Sequence, residues 1–219
     1  KGADLLKLFI TPGVPDPFST FVPSFLSLEE ISVAVSEGAR LGIPTAAHCI
    51  GGQGLKDCID GGVDVIEHMY MATEQDVDRL ASSRCVVDLT SGIFLDPSRE
   101  EFLSPANALK VRQNRSRVRE NVSRIIKARL PFVLGTDAYH GLLYREVGYA
   151  VELGAAPVTA IQGVTSHAAK VCRLEDRIGK LENGLEADII AVKGNPLKDV
   201  SRLSQVGLVM KGGVIYRQP

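Results

Sequence analysis

The chain has 219 residues, of which 45% are hydrophobic and 23% charged, and its net charge at pH 7 is −1. Those values describe an ordinary globular chain with no basic surplus to attract nucleic acid or an anionic membrane. No apolar run approaches the ~18 residues of a membrane span, no secretory leader pattern opens the chain, and zero Trp with 5% aromatics offers no base-stacking platform.

In chain order, "DLLKLFI" (4–10) is a short apolar run that reads as a strand. "SLEEISVAVSEGARLG" (27–42) predicts a helix, with Ser27 and Glu30 as a capping box and Gly42 as its stop. "PTAAHC" (44–49) reads as a strand, "GLKDCIDGG" as a short helix, and "VDVIEHM" (63–69) as a strand. "TEQDVDRLASS" (73–83) predicts a helix capped by Thr73, and "CVVDLT" (85–90) a strand. A long helix is expected from about Asn107 to Ala128, then a strand over "PFVLGTD" (131–137), then helical stretches over 142–154 and 157–172. Between Lys110 and Arg129, Val118, Val122, Ile125 and Ile126 recur at helical spacing beneath a dense run of cations. That pattern reads as a solvated helix face, with a basic patch for a partner as the alternative. The segments 11–27 and 90–106 are long and Pro-rich, and read as lids or binding loops.

Strands that alternate with helices predict a parallel sheet with right-handed crossovers, either a (β/α)8 barrel or a doubly wound sheet. After residue 176 the character changes. "IGKLENGLEADIIAVKGNP" and "GLVMKGGVIYR" read as strand-turn-strand text with no helix between, hence a separate antiparallel layer. The expected division is a barrel portion over 1–176 and small-sheet strands over 177–219.

Three expected strands end in a metal-capable or acid/base side chain: His48, His68 and Asp137. In a barrel the C-terminal strand ends converge on one mouth, so residues distant in sequence meet there. Lys7 lies within the first apolar run, where an ammonium is costly. Either it pairs with a carboxylate, or it is a neutral amine that takes up CO2 to become a carbamate, an anionic oxygen ligand able to bridge two cations.

Taken together and in order, "GADLLKLF", "TAAHC", "GVDVIEHM", "GTDAYHG" and "IGKLENGLEADIIAVKGNPLKD" resemble the amidohydrolase superfamily, in particular its imidazolonepropionase-like and Xaa-Pro-dipeptidase-like hydrolases. Any one motif is weak, but the ordered set spans nearly the whole chain. The resemblance implies a (β/α)8 barrel with a small β-sandwich built from both chain ends, and hydrolysis at one or two divalent metals. It implies that Lys7 is the carboxylated bridging lysine of strand 4, that His48 and His68 are the ligands of strands 5 and 6, and that Asp137 of strand 8 binds metal and shuttles the proton. Zn2+ suits such nitrogen and oxygen ligands best, with Fe2+, Mn2+ and Co2+ also compatible. Tyr139 and His140, in the loop after Asp137, and Thr11, after the Lys7 strand, are candidates for substrate contact.

The family's strand 1 carries H-x-H, whereas no two of the four histidines here (His48, His68, His140, His167) are spaced i, i+2. The sequence reads as strands 4 to 8, an incomplete piece to be completed by an N-terminal segment of the same protein or by another chain. Homo-oligomer formation is compatible with it. The expected function is metal-dependent hydrolysis of an amide-type C–N bond in a small molecule such as a dipeptide, an N-acyl amino acid or a cyclic amide. The alternative is a non-catalytic scaffold without metal. A nucleotide-binding doubly wound fold needs a Gly-rich turn that "TPGVPDP" lacks, and "GGQG" (51–54) lacks the rest of a dinucleotide fingerprint. His167 reads as structural. Cys49 is expected to face away from the mouth. The four cysteines form no C-x-x-C pair, which reads as reduced thiols in a cytoplasmic protein.

Overall fold

The computed structural model describes residues 2–13, 22–137 and 140–218, leaving aside the side chain of His140. The chain divides into two units, Lys1–Phe132 and Val133–Pro219.

In the first unit, strands β1 (Leu6–Phe9), β2 (Thr45–Cys49), β3 (Val65–His68) and β4 (Val86–Leu89) pair in parallel and in sequence order. The order continues to β5 (Phe132–Leu134). Helices α1 (Leu28–Leu41), α2 (Gly52–Asp60) and α3 (Glu74–Ala81) make the successive crossovers, the arrangement that β-α alternation predicts. Ser27 accepts the backbone N–H of Glu30 while the Glu30 carboxylate accepts that of Ser27, so the capping box forms as expected. Gly42 ends α1 with a φ of 72°, a left-handed turn that a Cβ would disfavour. Thr73 and Asp76 make a second box at α3. One face of the sheet packs under helices: Ala47, Cys49, Ile66, Val87 and Leu89 are fully buried.

The "GGQG" stretch is explained by packing. Gly52 takes a φ of 73°, and a Cβ there would lie 2.8 Å from the Val22 carbonyl oxygen. These glycines let the start of α2 close onto the chain beside it.

Residues 90–106 are more ordered than a Pro-rich loop suggests. They hold a short helix α4 (Gly92–Leu95) and a 3-10 turn, Pro97–Phe102, before α5 (Pro105–Lys127). Asp96 starts the 3-10 turn by accepting from Ser98, and Pro97 follows as its first residue. In α5, Val111, Val118, Val122, Ile125 and Ile126 are buried. On its outer side Arg112 and Arg115 both pair with Glu100, so part of the basic run is neutralised within the chain.

In the second unit the expected helix over 157–172 is two helices, α7 (Pro157–Gly163) and α8 (Ser166–Val171), following α6 (Leu143–Glu152). The break falls at Thr165, whose hydroxyl bonds the Ile161 carbonyl at 2.8 Å. That side-chain bond satisfies an acceptor the helix would otherwise use. Strands β6 (Ile189–Val192), β7 (Val206–Lys211) and β8 (Val214–Arg217) form an antiparallel sheet, with a 3-10 turn, Val200–Ser204, where strand-turn-strand text alone was expected. No helix among the described residues is long and apolar enough to cross a membrane.

Candidate active site

Parallel register places Phe9, His48 and Glu67 side by side on adjacent strands. Lys7 precedes Phe9 by two residues and shares its face. Lys7 and Glu67 form an ion pair that spans β2, where the facing residue Ala46 is small enough to let the lysine cross. Lys7 therefore has a carboxylate partner in Glu67. The His48 ring stacks on Phe9 with centroids 4.1 Å apart. Its Nε2 lies 3.4 Å from the Pro12 carbonyl oxygen, a long contact.

By strand alternation His68 belongs with Ile66 and Cys49 on the helix-covered face. Its backbone breaks that rule: φ is +78° at His68 and +53° at Met69, two successive non-glycine residues in the left-handed region. The His68 ring consequently meets His48 edge-on, with centroids 4.5 Å apart. Backbone bonds from Met69 to Cys49 and from Met71 to Ile50 hold the strained turn in place. Cys49 is buried as expected, its thiol 3.9 Å from the Gly51 carbonyl oxygen.

His68 is nearly inaccessible. Its Nδ1 lies 2.7 Å from Thr90 Oγ1, and its Nε2 lies 3.9 Å from Glu67 Oε2. Burial, then the positive fields of His48 and Lys7, pull its pKa down to about 3, so the ring is a neutral imidazole at neutral pH.

Of the other sequence-predicted residues, Thr11 is fully buried and its hydroxyl accepts the Ile50 N–H at 3.0 Å, which ties the loop after β1 to the end of β2. Asp137 belongs to the second unit. It lies beyond the end of β5 at Leu134, exposed, with a φ of +59° that a strand residue would not have. Tyr139 and the His140 side chain lie outside the described residues; the His140 backbone opens a 3-10 turn, His140–Leu142. His167 is the second residue of α8.

Sequence reasoning missed Glu67, Tyr70 and Thr90. Glu67 was legible in principle, as a carboxylate directly before His68 in a strand beside β2. Tyr70 and Thr90 carried no signal, because a tyrosine and a threonine near strand ends have no distinctive spacing.

The donor set suits part of a metal shell. A neutral buried imidazole and a second imidazole against it are nitrogen donors of the kind Zn2+ takes, with Lys7 and Glu67 alongside. No cluster of three or more His, Cys, Asp and Glu stands ready to hold a cation among the described residues. The two imidazoles are donors of the type a divalent cation takes, and a complete shell would need further ligands.

Comparison with known proteins places this geometry in context. Residues 21–216 match the model of the amidohydrolase family. The chain is 30% identical along its whole length to ochratoxinase of Aspergillus niger, covering 47% of that protein. It is 22% identical to imidazolonepropionase of Desulfotalea psychrophila over 77% of this chain and 38% of the relative. Among solved structures, a Xaa-Pro dipeptidase with bound methionine in its active site superposes with a TM-score of 0.88 at 32% identity, over 99% of this chain and 55% of that one. Aspergillus niger ochratoxinase superposes with a TM-score of 0.84 at 28% identity, over all of this chain and 52% of that one. The chain thus spans about half the length of these relatives.

Proposed function

The chain belongs to the amidohydrolase family, and on that premise we propose that it forms part of a metal-dependent hydrolase of an amide-type C–N bond in a dipeptide, an N-acyl amino acid or a cyclic amide. In this reading residues 1–176 belong to the barrel and 177–219 to the sandwich. The observation that carries it is the pair of imidazoles, His48 and His68, brought within 4.5 Å at the ends of neighbouring parallel strands by a strained backbone.

A divalent cation, with Zn2+ the best match to the donors, would supply a Lewis acid for the scissile carbonyl and lower the pKa of its bound water toward ~7. His48 and His68 present ring nitrogens to it. Lys7 would contribute an oxygen once it has left Glu67 and become a carbamate, losing one proton from the ammonium and a second to solvent as its nitrogen bonds CO2. Asp137 takes the proton from the attacking water and returns it to the leaving nitrogen. Thr11, Tyr139 and His140 belong to the substrate side of the same reading. Free thiols at all four cysteines favour a cytoplasmic setting.

One observation favours a second reading, a scaffold without metal: Lys7 is paired with Glu67. Metal analysis and a hydrolysis screen on the protein that carries this chain separate the two. His48→Ala and His68→Ala are expected to lower metal content. Asp137→Asn is expected to lower kcat by roughly 10²–10⁴-fold. Turnover that survives complete metal removal would refute metal dependence, and a kcat near wild type in Asp137→Asn would refute the proton shuttle.

A further inference from the structure

Behind His68 lies a short hydrogen-bonded chain whose direction can be deduced. Tyr70 Oη is 2.8 Å from the Thr90 carbonyl oxygen and 2.6 Å from Thr90 Oγ1. Thr90 Oγ1 is in turn 2.7 Å from His68 Nδ1. A carbonyl oxygen can only accept, so the single phenolic hydrogen of Tyr70 goes to it. Tyr70 Oη is left as an acceptor toward Thr90, so the Thr90 hydroxyl donates to Tyr70. Thr90 Oγ1 must then accept from His68 Nδ1–H. Within this trio each donor is used once, and Tyr70 Oη, 3.5 Å from His68 Nδ1, likewise faces that nitrogen only as an acceptor. In the reverse direction Tyr70 Oη would sit 2.8 Å from a carbonyl oxygen with no hydrogen between them.

The surroundings hold this chain in place. Asn121 of α5 donates to the Tyr70 carbonyl at 2.8 Å, and Phe94 packs edge-on against the Tyr70 ring with centroids 4.6 Å apart. Tyr70, Thr90 and His68 are all buried, so water does not compete for these bonds.

We propose that Thr90 and Tyr70 are positioning residues that fix the tautomer of His68, with the proton on Nδ1 and the lone pair of Nε2 turned to the site. The proposal rests on the reading of His68 as a metal ligand. A ligating histidine is commonly oriented through the nitrogen that does not bind metal. Here the orienting acceptor is a hydroxyl whose own direction is set by a tyrosine and a backbone carbonyl.

Two readouts on the protein carrying this chain keep the two readings apart. The first is the tautomer of His68 from ring 15N shifts in the metal-free protein. The second is Zn2+ affinity by chelator competition, with His68→Ala as the reference. Wild type is expected to show Nδ1–H. Tyr70→Phe frees Thr90 to donate to Nδ1 and is expected to mix the tautomers and weaken Zn2+ about 10-fold. Thr90→Val is expected to weaken it at least as much, and Thr90→Ser to restore both readouts. An Nε2–H tautomer in wild type, or an unchanged tautomer and affinity in both Tyr70→Phe and Thr90→Val while His68→Ala loses the metal, would overturn the proposal. Undiminished Zn2+ affinity in His68→Ala would instead sink the ligand reading. The Nδ1–H signal, and its loss in Tyr70→Phe, would still report on the hydrogen-bonded chain.

Discussion

The two sheets of this chain are built by opposite means. In the parallel sheet, Ala47, Ile66 and Val87 lie at 0% exposure under crossover helices, while Lys7, His48, Glu67 and Asp88 line up on the other face. In the antiparallel sheet no residue of β6, β7 or β8 is buried, and every position of β8 is exposed. Burial holds the first sheet rigidly enough to keep two consecutive left-handed residues at a strand end. The second is held by ladder bonds and turn chemistry, such as the Asp188 carboxylate that accepts the Gly212 N–H at 2.7 Å. A strained side-chain constellation is expected on a packed parallel sheet, because strain persists only where the surroundings over-determine it.

The sharpest contrast should appear in thiol chemistry. Cys49, Cys58 and Cys85 are buried in the first unit, and Cys172 of the second is exposed. The Cys58 thiol is pushed up by its hydrogen bond with Cys49 and by burial, and the Cys85 thiol by burial. A maleimide reagent is expected to label Cys172 promptly in the native chain and the other three only on unfolding, as peptide mapping would reveal. Prompt labelling of Cys58 would mean that the helix-covered face opens easily, and the contrast would collapse.

A smaller, energetic form of the same test compares truncations. Ile66→Ala removes a fully buried side chain and is expected to cost about 2–5 kcal/mol in urea unfolding. Tyr216→Ala removes a ring that is 71% exposed and is expected to fall within about 0.5 kcal/mol of wild type. Equal costs would show that β8 draws on packing comparable to that of β3.

The same division separates what the sequence disclosed from what it hid. The caps at Ser27, Thr73 and Gly42, the parallel β-α order and the antiparallel tail were all legible, because each follows from local residue chemistry or period. The ordering of 90–106 was not, since Asp96 and Pro97 start a helical turn only where α5 and α4 pack against it. Nor was the partner of Lys7, which is set by register across three strands. His48 and His68 stood out as residue types at strand ends. That their rings would meet was hidden, because period-2 alternation sends them to opposite faces and only the backbone at His68 reverses it.

Acid should resolve the two regions by pH range. In the metal-free chain His68 titrates near 3 when folded, against an ordinary ~6.5 when unfolded. The folded state therefore resists a proton that the unfolded state binds. The contribution is constant above ~6.5 and is lost progressively as pH falls from there toward 3. The cost at pH 4 is at most ~3 kcal/mol by linkage. In the second unit the Asp188 carboxyl is held below its usual range by the Gly212 N–H and then by Lys211. Its stabilising contribution is present above an ordinary ~3.9 and declines only below it, as the carboxylate takes up its proton. Circular dichroism of wild type, His68→Gln and Asp188→Asn across pH 7 to 2 tests this. His68→Gln is expected to flatten the loss between 6.5 and 4, and Asp188→Asn to alter only the region below. If His68→Gln left the upper range unchanged, the imidazole would be protonated at little cost inside the fold, and the buried neutral donor on which the metal reading depends would be gone.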